Sequence, residues 1–266
     1  MTSAIDIRRI MAGLAAEHLS EDWDNVGLII GRADRQVERI LISLDYTEKT
    51  RLEAVEKGCQ MVITHHPPIF SKLNKINDQT PVGRLILGTI ASDISIYSAH
   101  TNLDYADGGT SDALFEILGL SEKDTLMMPN IHGKSLGRVG SFSRDYSLEQ
   151  VCALVKEKLG VSTLKCVGNP EAVVKKAAIM PGSGATGEFF ASALAKDVDV
   201  YITGDLKYHD ALDAAALGLN VIDATHFATE NIVCEYIKKH LEKNLEENKS
   251  AEIILSEASE PPFNFM

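Results

Sequence analysis

Three clusters of imidazole and carboxylate stand where apolar runs of this chain finish. His65 and His66 close the run Met61-Val62-Ile63-Thr64 and are followed directly by Pro67 and Pro68. His100-Thr101-Asn102-Leu103-Asp104 ends a second apolar run, and His226 and Glu230 stand at i and i+4 where a helical pattern begins. Imidazole nitrogen and carboxylate oxygen are the donors that divalent transition metals take, so the clusters read as one metal site assembled by folding, with room for two ions. Adjacent residues on extended chain point to opposite sides, so His65 and His66 are expected to serve different ions of a close pair. His226 and Glu230 share a helix face, and a carboxylate, with two oxygens against the single free lone pair of an imidazole, can bridge two ions. Two-metal hydrolytic sites hold their ions ~3.5–4 Å apart, a spacing a bridging carboxylate suits. A single histidine near a strand end is more often structural; the grouping of three clusters favours the metal reading.

Softer candidates surround these. Asp45 ends a strand before Tyr46-Thr47 and reads as a helix N-cap in preference to an acid orienting a ligand. Thr203-Gly204-Asp205 and His209 follow another strand end. His100 and His209 are the candidates for moving a proton to or from substrate, with plain hydrogen bonding as the alternative for each. The turn Pro181-Gly182-Ser183-Gly184-Ala185-Thr186-Gly187 follows a strand and opens a helix, as phosphate cradles do. It matches neither the Walker nor the dinucleotide spacing, and tight turning alone is the simpler explanation.

The elements that must position these residues alternate strand and helix. Ile7, Ile10, Met11 and Leu14 fall at helical spacing after Asp6, an N-cap or first-turn acid. Strands are expected at 26–30 and 39–44, a helix over 47–57 ended by Gly58, a strand at 61–64, a helix over 82–91, a strand at 94–97 and a helix over 112–118. The rhythm restarts after a break near 125–134. Strands at 136–142, near Leu164, and at 177–180, 198–202 and 220–222 alternate with helices over 148–159, after Gly184, and over 208–217. His226 is expected to open one long helix running through a charged tail from Lys238 to Lys249, before a last strand at 252–255. This pattern predicts an α/β fold with largely parallel pairing in two lobes, 1–125 carrying His65, His66 and Asp104, and 126–266 carrying His226 and Glu230. In such sheets ligands gather at the carboxyl ends of strands, where the three clusters lie.

Composition bounds the function. The chain has 266 residues, 45% apolar and 24% charged, which is enough for one large or two ordinary domains with a sizeable core. A net charge of −12 disfavours sequence-independent binding to nucleic acid. Cys59, Cys152, Cys166 and Cys234 are widely spaced with no C-x-x-C, which points to thiols in a reducing compartment. No run approaches the ~20 apolar residues of a membrane span, and the N-terminus lacks a basic region followed by an apolar stretch, so a cytoplasmic location is expected.

The motifs together resemble the dinuclear metal-centre family of GTP cyclohydrolase 1 type 2 homologues. The resemblance rests on Trp23-Asp24-Asn25-Val26-Gly27-Leu28, Thr64-His65-His66-Pro67, Ser98-Ala99-His100-Thr101-Asn102-Leu103-Asp104, Gly182-Ser183-Gly184, Thr203-Gly204-Asp205 with Tyr208-His209, and His226 with Glu230. It covers nearly the whole chain. It implies a two-lobe α/β subunit, assembled as a ring-shaped homohexamer, with a dinuclear metal site at the lobe interface. By position, it assigns His66 and Asp104 to one ion, His65 and His226 to the other, and Glu230 to both. Pro68 stands where the family more usually has an aliphatic residue, and Ala224-Thr225 precedes His226 where a glycine is common; neither is a ligand type, so both bear on pocket shape.

The leading functional expectation is a metal-dependent hydrolase with two divalent ions per subunit (Zn, Fe, Mn, Co or Ni), acting on a nucleotide-like or phosphoester substrate. The alternative is a non-catalytic metal-binding or regulatory assembly protein, which needs the same ligand set. Open coordination beside a poised histidine or glutamate separates the first from the second.

Overall fold

The structure, a computed structural model, describes residues 2–245 and 251–264. The part of the charged tail beyond residue 245 therefore lies outside the described residues. The chain divides into two compact units, Met1–Gly109 with Val233–Glu260, and Thr110–Ile232 with Pro261–Met266.

The first unit begins with β1 (Thr2–Ser3) and α1 (Ala4–Leu14). Ser3 caps α1 and Asp6 bonds back to it in a reciprocal capping box, so Asp6 is the first-turn acid. Next come β2 (Gly27–Ile30), β3 (Gln36–Val37), β4 (Arg39–Ser43), α2 (Glu48–Glu56), β5 (Met61–Thr64), α3 (Pro81–Ala91), β6 (Ser95–Ser98) and the short α4 (Thr101–Tyr105). The strands β5 and β6 are buried at every position, as inner strands of a sheet covered on both faces should be. β4, β5 and β6 run parallel with Ser43 beside Thr64 and Thr64 beside Ser98, and the Thr64 and Ser98 hydroxyls bond at 2.9 Å. That register delivers Asp45, His65-His66 and His100 to one edge of one sheet.

The second unit holds α5 (Thr110–Ile117), β7 (Ser121–Thr125), β8 (Arg138–Ser147), α6 (Leu148–Leu159), β9 (Lys165–Val167), β10 (Val173–Met180), α7 (Gly187–Ala195), β11 (Val200–Thr203), α8 (Tyr208–Ala216), β12 (Asn220–Asp223) and α9 (His226–Glu230). Its six strands lie in the order β7-β8-β10-β11-β12-β9, with β10, β11 and β12 parallel. Successive side chains alternate between two layers, as a pleated strand demands. Ala177, Ile179, Val200 and Ile202 pack with α5 and α6, while Ala178, Met180, Tyr201 and Val221 pack with α7 and α8. The chain then returns to the first unit through α10 (Val233–Asn244) and β13 (Glu252–Leu255). β13 pairs with β4 and completes the order β13-β4-β5-β6-β2.

Two expectations change. The lobe boundary is not near 125, because α5 belongs to the second unit and residues 233–260 to the first. The Asp112 carboxylate of α5 meets Arg138 of β8 at 2.6 Å with both side chains buried, and Phe115 fills the space that a side chain at Gly140 would need. The 125–134 break is only the connection between antiparallel β7 and β8. The single long helix from His226 is also two helices, α9 and α10, one in each unit. Ala228, Thr229 and Glu230 are buried in α9, whereas Val233, Cys234, Ile237 and Leu241 form the buried face of α10.

Candidate metal centre

In the first unit the sheet edge gathers three imidazoles. β5 ends at Thr64, and the His66 amide donates to the Leu44 carbonyl at 3.0 Å. The rings of His65 and His66 lie 4.9 Å apart, and those of His65 and His100 lie 5.1 Å apart. One ligand atom from each of the three lies within 4.8 Å of the others. The strand geometry that would separate His65 from His66 has ended before them, so the expectation that they face opposite sides does not hold. His65 is fully buried, and its Nε2 lies 3.6 Å from Asp104 Oδ1.

Each ring is oriented through its other nitrogen. His65 Nδ1 bonds the Ala99 carbonyl at 2.8 Å. His66 Nδ1 bonds Asp45 Oδ1 at 2.8 Å. His100 Nδ1 bonds Asp24 Oδ1 at 2.9 Å. Asp45 is thus not the N-cap; Thr47 caps α2, and Asp45 holds a histidine. Asp24 also accepts from the amide and hydroxyl of Thr101 at 3.0 and 2.5 Å. Burial by itself raises the pKa of this carboxyl, but the hydrogen bonds from His100 and Thr101 and the attraction of the imidazole outweigh it and hold the value at about 2. Beside it, Trp23 and Phe70 place their rings edge-on to His100 at 6.1 and 5.8 Å, and Asn25 pins the loop after Pro68 by donating to the Ile69 carbonyl at 2.6 Å.

The second unit builds its pair from backbone. Thr225 has φ 72° and caps α9, which starts His226 at the sheet edge. His226 Nδ1 bonds Asp205 Oδ2 at 2.7 Å, and its Nε2 meets Glu230 Oε2 at 2.7 Å. Glu230 is buried, and Gly182, at φ 65°, makes room for it: a Cβ there would stand 1.9 Å from Glu230 Oε1. A Cβ at Gly204 would stand 2.7 Å from the His226 amide nitrogen. The Gly204 amide donates to the Gly182 carbonyl, and Thr229 Oγ1 accepts from the Gly182 amide, both at 3.0 Å. Two glycines of the 181–187 turn therefore permit close approach, Gly182 to Glu230 and Gly184 to Met180 and Tyr201. His209 is exposed on α8 with its ring 5.4 Å from Tyr208, and it joins none of the clustered donor groups among the described residues.

The donor set fits divalent metal. In His65, His66 and His100 an oxygen acceptor engages Nδ1, which selects the tautomer that offers the Nε2 lone pair, the arrangement metal-ligating histidines adopt; His226 has a carboxylate oxygen at each ring nitrogen, Asp205 at Nδ1 and Glu230 at Nε2. Sequence reasoning missed Asp24, misread Asp45, and gave Gly182 and Gly204 no part in the site. The Asp24 signal was present in the Trp23–Leu28 motif, but its partner lies 76 positions away. The glycine roles depend on contacts that no sequence pattern prints.

The chain is 36% identical over 262 residues to a Clostridium perfringens protein named GTP cyclohydrolase 1 type 2 homolog, covering 98% of each. Its fold matches a Bacillus cereus protein related to NIF3 with a TM-score of 0.93 at 26% identity, covering 100% of this chain and 99% of that one. It also matches reduced HcgD from Methanocaldococcus jannaschii, with a TM-score of 0.82 at 30% identity over 96% of this chain and 98% of that one. With residues 2–262 matching the family's sequence model, the chain belongs to the Duf34/NIF3 (NGG1p interacting factor 3) family.

Proposed function

We propose that this protein is a metal-dependent hydrolase with a dinuclear centre, acting on a nucleotide-like or phosphoester substrate. In this reading His66 and Asp104 hold one ion, His65 and His226 the other, and Glu230 touches both. The observation that carries it is the uniform orientation of the His65, His66 and His100 imidazoles, each fixed through Nδ1 so that Nε2 is the donor. His226 and Glu230 are too few to fill a four- to six-coordinate ion, which favours a set shared with His65, His66 and Asp104. The name carried by the Clostridium perfringens relative points to the nucleotide-like substrate class.

A bound pair of divalent ions lowers the pKa of a coordinated water toward neutrality and polarises the group under attack. The protein's own residues supply the rest. Asp45 and Asp205 hold His66 and His226 in place. Asp24 orients His100 so that its Nε2 takes or gives the proton that moves during hydrolysis. The Trp23 and Phe70 rings beside His100 limit water there. His209 is the second candidate for proton transfer, though its exposed place on α8 gives it no comparable brace. The same reading includes the homohexameric ring implied by the resemblance, and a cytoplasmic location. No helix among the described residues is long and apolar enough to cross a membrane.

Metal analysis of the purified protein and of His66→Ala, paired with turnover on a panel of nucleotides and phosphoesters, tests the proposal. About two ions per chain, partial loss in the variant, and hydrolysis that stops on chelation are expected. Two ions with no turnover on any substrate would favour the non-catalytic assembly protein. Hydrolysis that survives complete metal removal would reject the reading.

A further inference from the structure

We propose that a cavity of about 470 Å³ in the second unit, beside His226, binds the ring of the substrate, and that this ring is a neutral planar nitrogen heterocycle with an amide-like edge, of nucleobase type. The inference rests on the hydrolase reading for its consequence, since it decides which part of a nucleotide-like substrate the site recognises. The volume lies in the range of small-molecule sites, roughly 300–1,000 Å³, and the cavity opens where the parallel strands β11 and β12 end, the usual place for ligands in such sheets.

The lining sets the chemistry. Leu164, Phe227, Pro261, Pro262 and Phe263 give it broad apolar walls, which suit the faces of a flat ring. Its charged groups are one ammonium, Lys165, against two carboxylates, Asp205 and Asp223. That balance is unfavourable for a phosphate, so the cavity suits the uncharged end of a substrate. Asp223 is committed to the protein: Oδ2 accepts from the Leu206 amide at 3.1 Å and from Lys165 at 2.8 Å, and Oδ1 accepts from the Thr225 amide at 2.8 Å. Lys165 donates also to the Leu206 carbonyl at 3.2 Å. These two bonds use two of the three ammonium protons and leave one for a ligand acceptor. Asp205 uses Oδ2 for His226, and its second oxygen is the matching acceptor for a ligand N–H. One donor and one acceptor lining the same apolar cavity complement the paired C=O and N–H of an amide-edged heterocycle.

The segment after Glu260 forms one wall. Two consecutive prolines fix its backbone, and Phe263 is 69% exposed, with ring surface that a flat ligand can cover. A ring bound here would touch Asp205, the carboxylate that orients His226, so recognition and the proposed centre share one side chain.

Calorimetric titration of full-length, metal-stripped protein with inosine, and separately with inorganic phosphate, tests the assignment. Inosine is expected to bind saturably at one site, with affinity falling at least tenfold in Phe263→Ala, whose exposed position leaves folding intact, and in Lys165→Met. Phosphate is expected neither to bind there nor to compete. Absence of saturable inosine binding, or equal binding by Phe263→Ala and Lys165→Met, overturns the assignment, and the hydrolase reading stands if the metal-loaded protein still turns over a phosphoester. Inosine binding lost in these variants, from a protein that hydrolyses nothing, upholds the cavity and removes the hydrolase.

Discussion

The two units bring their metal-type donors to a sheet edge by different means. In the first, side chains do most of the positioning: Asp45 and Asp24 each grip one imidazole, and a backbone carbonyl, that of Ala99, holds the third. In the second, backbone does most of it, through Thr225 at positive φ and two glycines that admit Glu230 and His226 at distances a Cβ would forbid. A site held by side chains should fail gradually as its braces are trimmed. A site held by backbone should fail abruptly, at residues that bind nothing themselves.

The largest expected effect tests whether the second scaffold can be weakened alone. Asp112→Ala removes a buried carboxylate from buried Arg138, a change expected to cost about 3–5 kcal/mol. Chemical denaturation monitored separately for the two units should show the loss in 110–232, while the Trp23 fluorescence of the first unit changes little before global unfolding. Equal loss in both would merge the two units energetically and erase the contrast.

Gly182→Ala comes next. It forces a Cβ against Glu230 and places alanine in the left-handed region at φ 65°, a strain of about 1–3 kcal/mol. Metal content should fall as far as in Glu230→Ala, although Gly182 offers no ligand. Retention of wild-type metal content would show that Glu230 has no need of the gap.

Smaller losses should follow from Asp45→Asn and Asp205→Asn, which keep the shape of each brace and remove its charge. Such second partners are typically worth 10–100-fold in metal affinity, readable by competition with a chromophoric chelator. The contrast between the units predicts that Asp205→Asn hurts less, because backbone also fixes His226.

The smallest effect concerns pH. Asp24 has a folded pKa of about 2 against an ordinary 3.8, so its contribution is in place above about pH 4 and is lost as pH falls through 2, at most about 2 kcal/mol. In metal-free protein, Asp24→Asn should flatten the stability curve between pH 4 and 2 and leave its slope above pH 5 unchanged. Identical slopes in the lower window would separate His100 from Asp24.

Much of this was legible in the sequence. β5 reads Met-Val-Ile-Thr and β6, though serine stands at both its ends, carries Ile96 and Tyr97 just after Ile94, so both read as short buried strands and the residues following them had to sit at a sheet edge. His226 and Glu230 were placed on one helix face by spacing, and their 2.7 Å contact bears that out. What escaped has physical causes. β7 reads Ser-Glu-Lys-Asp-Thr, with no apolar alternation, and is recognisable only from its pairing with β8. The return of α10 to the first unit reverses an assignment by sequence neighbourhood, because burial against α1 and β4 outweighs proximity along the chain. Asp45 was a plausible cap on local grounds, and only the fold reveals that Thr47 takes that task and releases the carboxylate to His66.

The shared centre itself is tested most directly by an anomalous-difference map from crystals of the full chain grown with zinc. Two strong peaks are expected within about 4 Å of each other, one bonded to His66 and Asp104, the other to His65 and His226, with Glu230 reaching both. Isolated peaks on the first unit and on the second with no common ligand, or none at all at these residues, would contradict it.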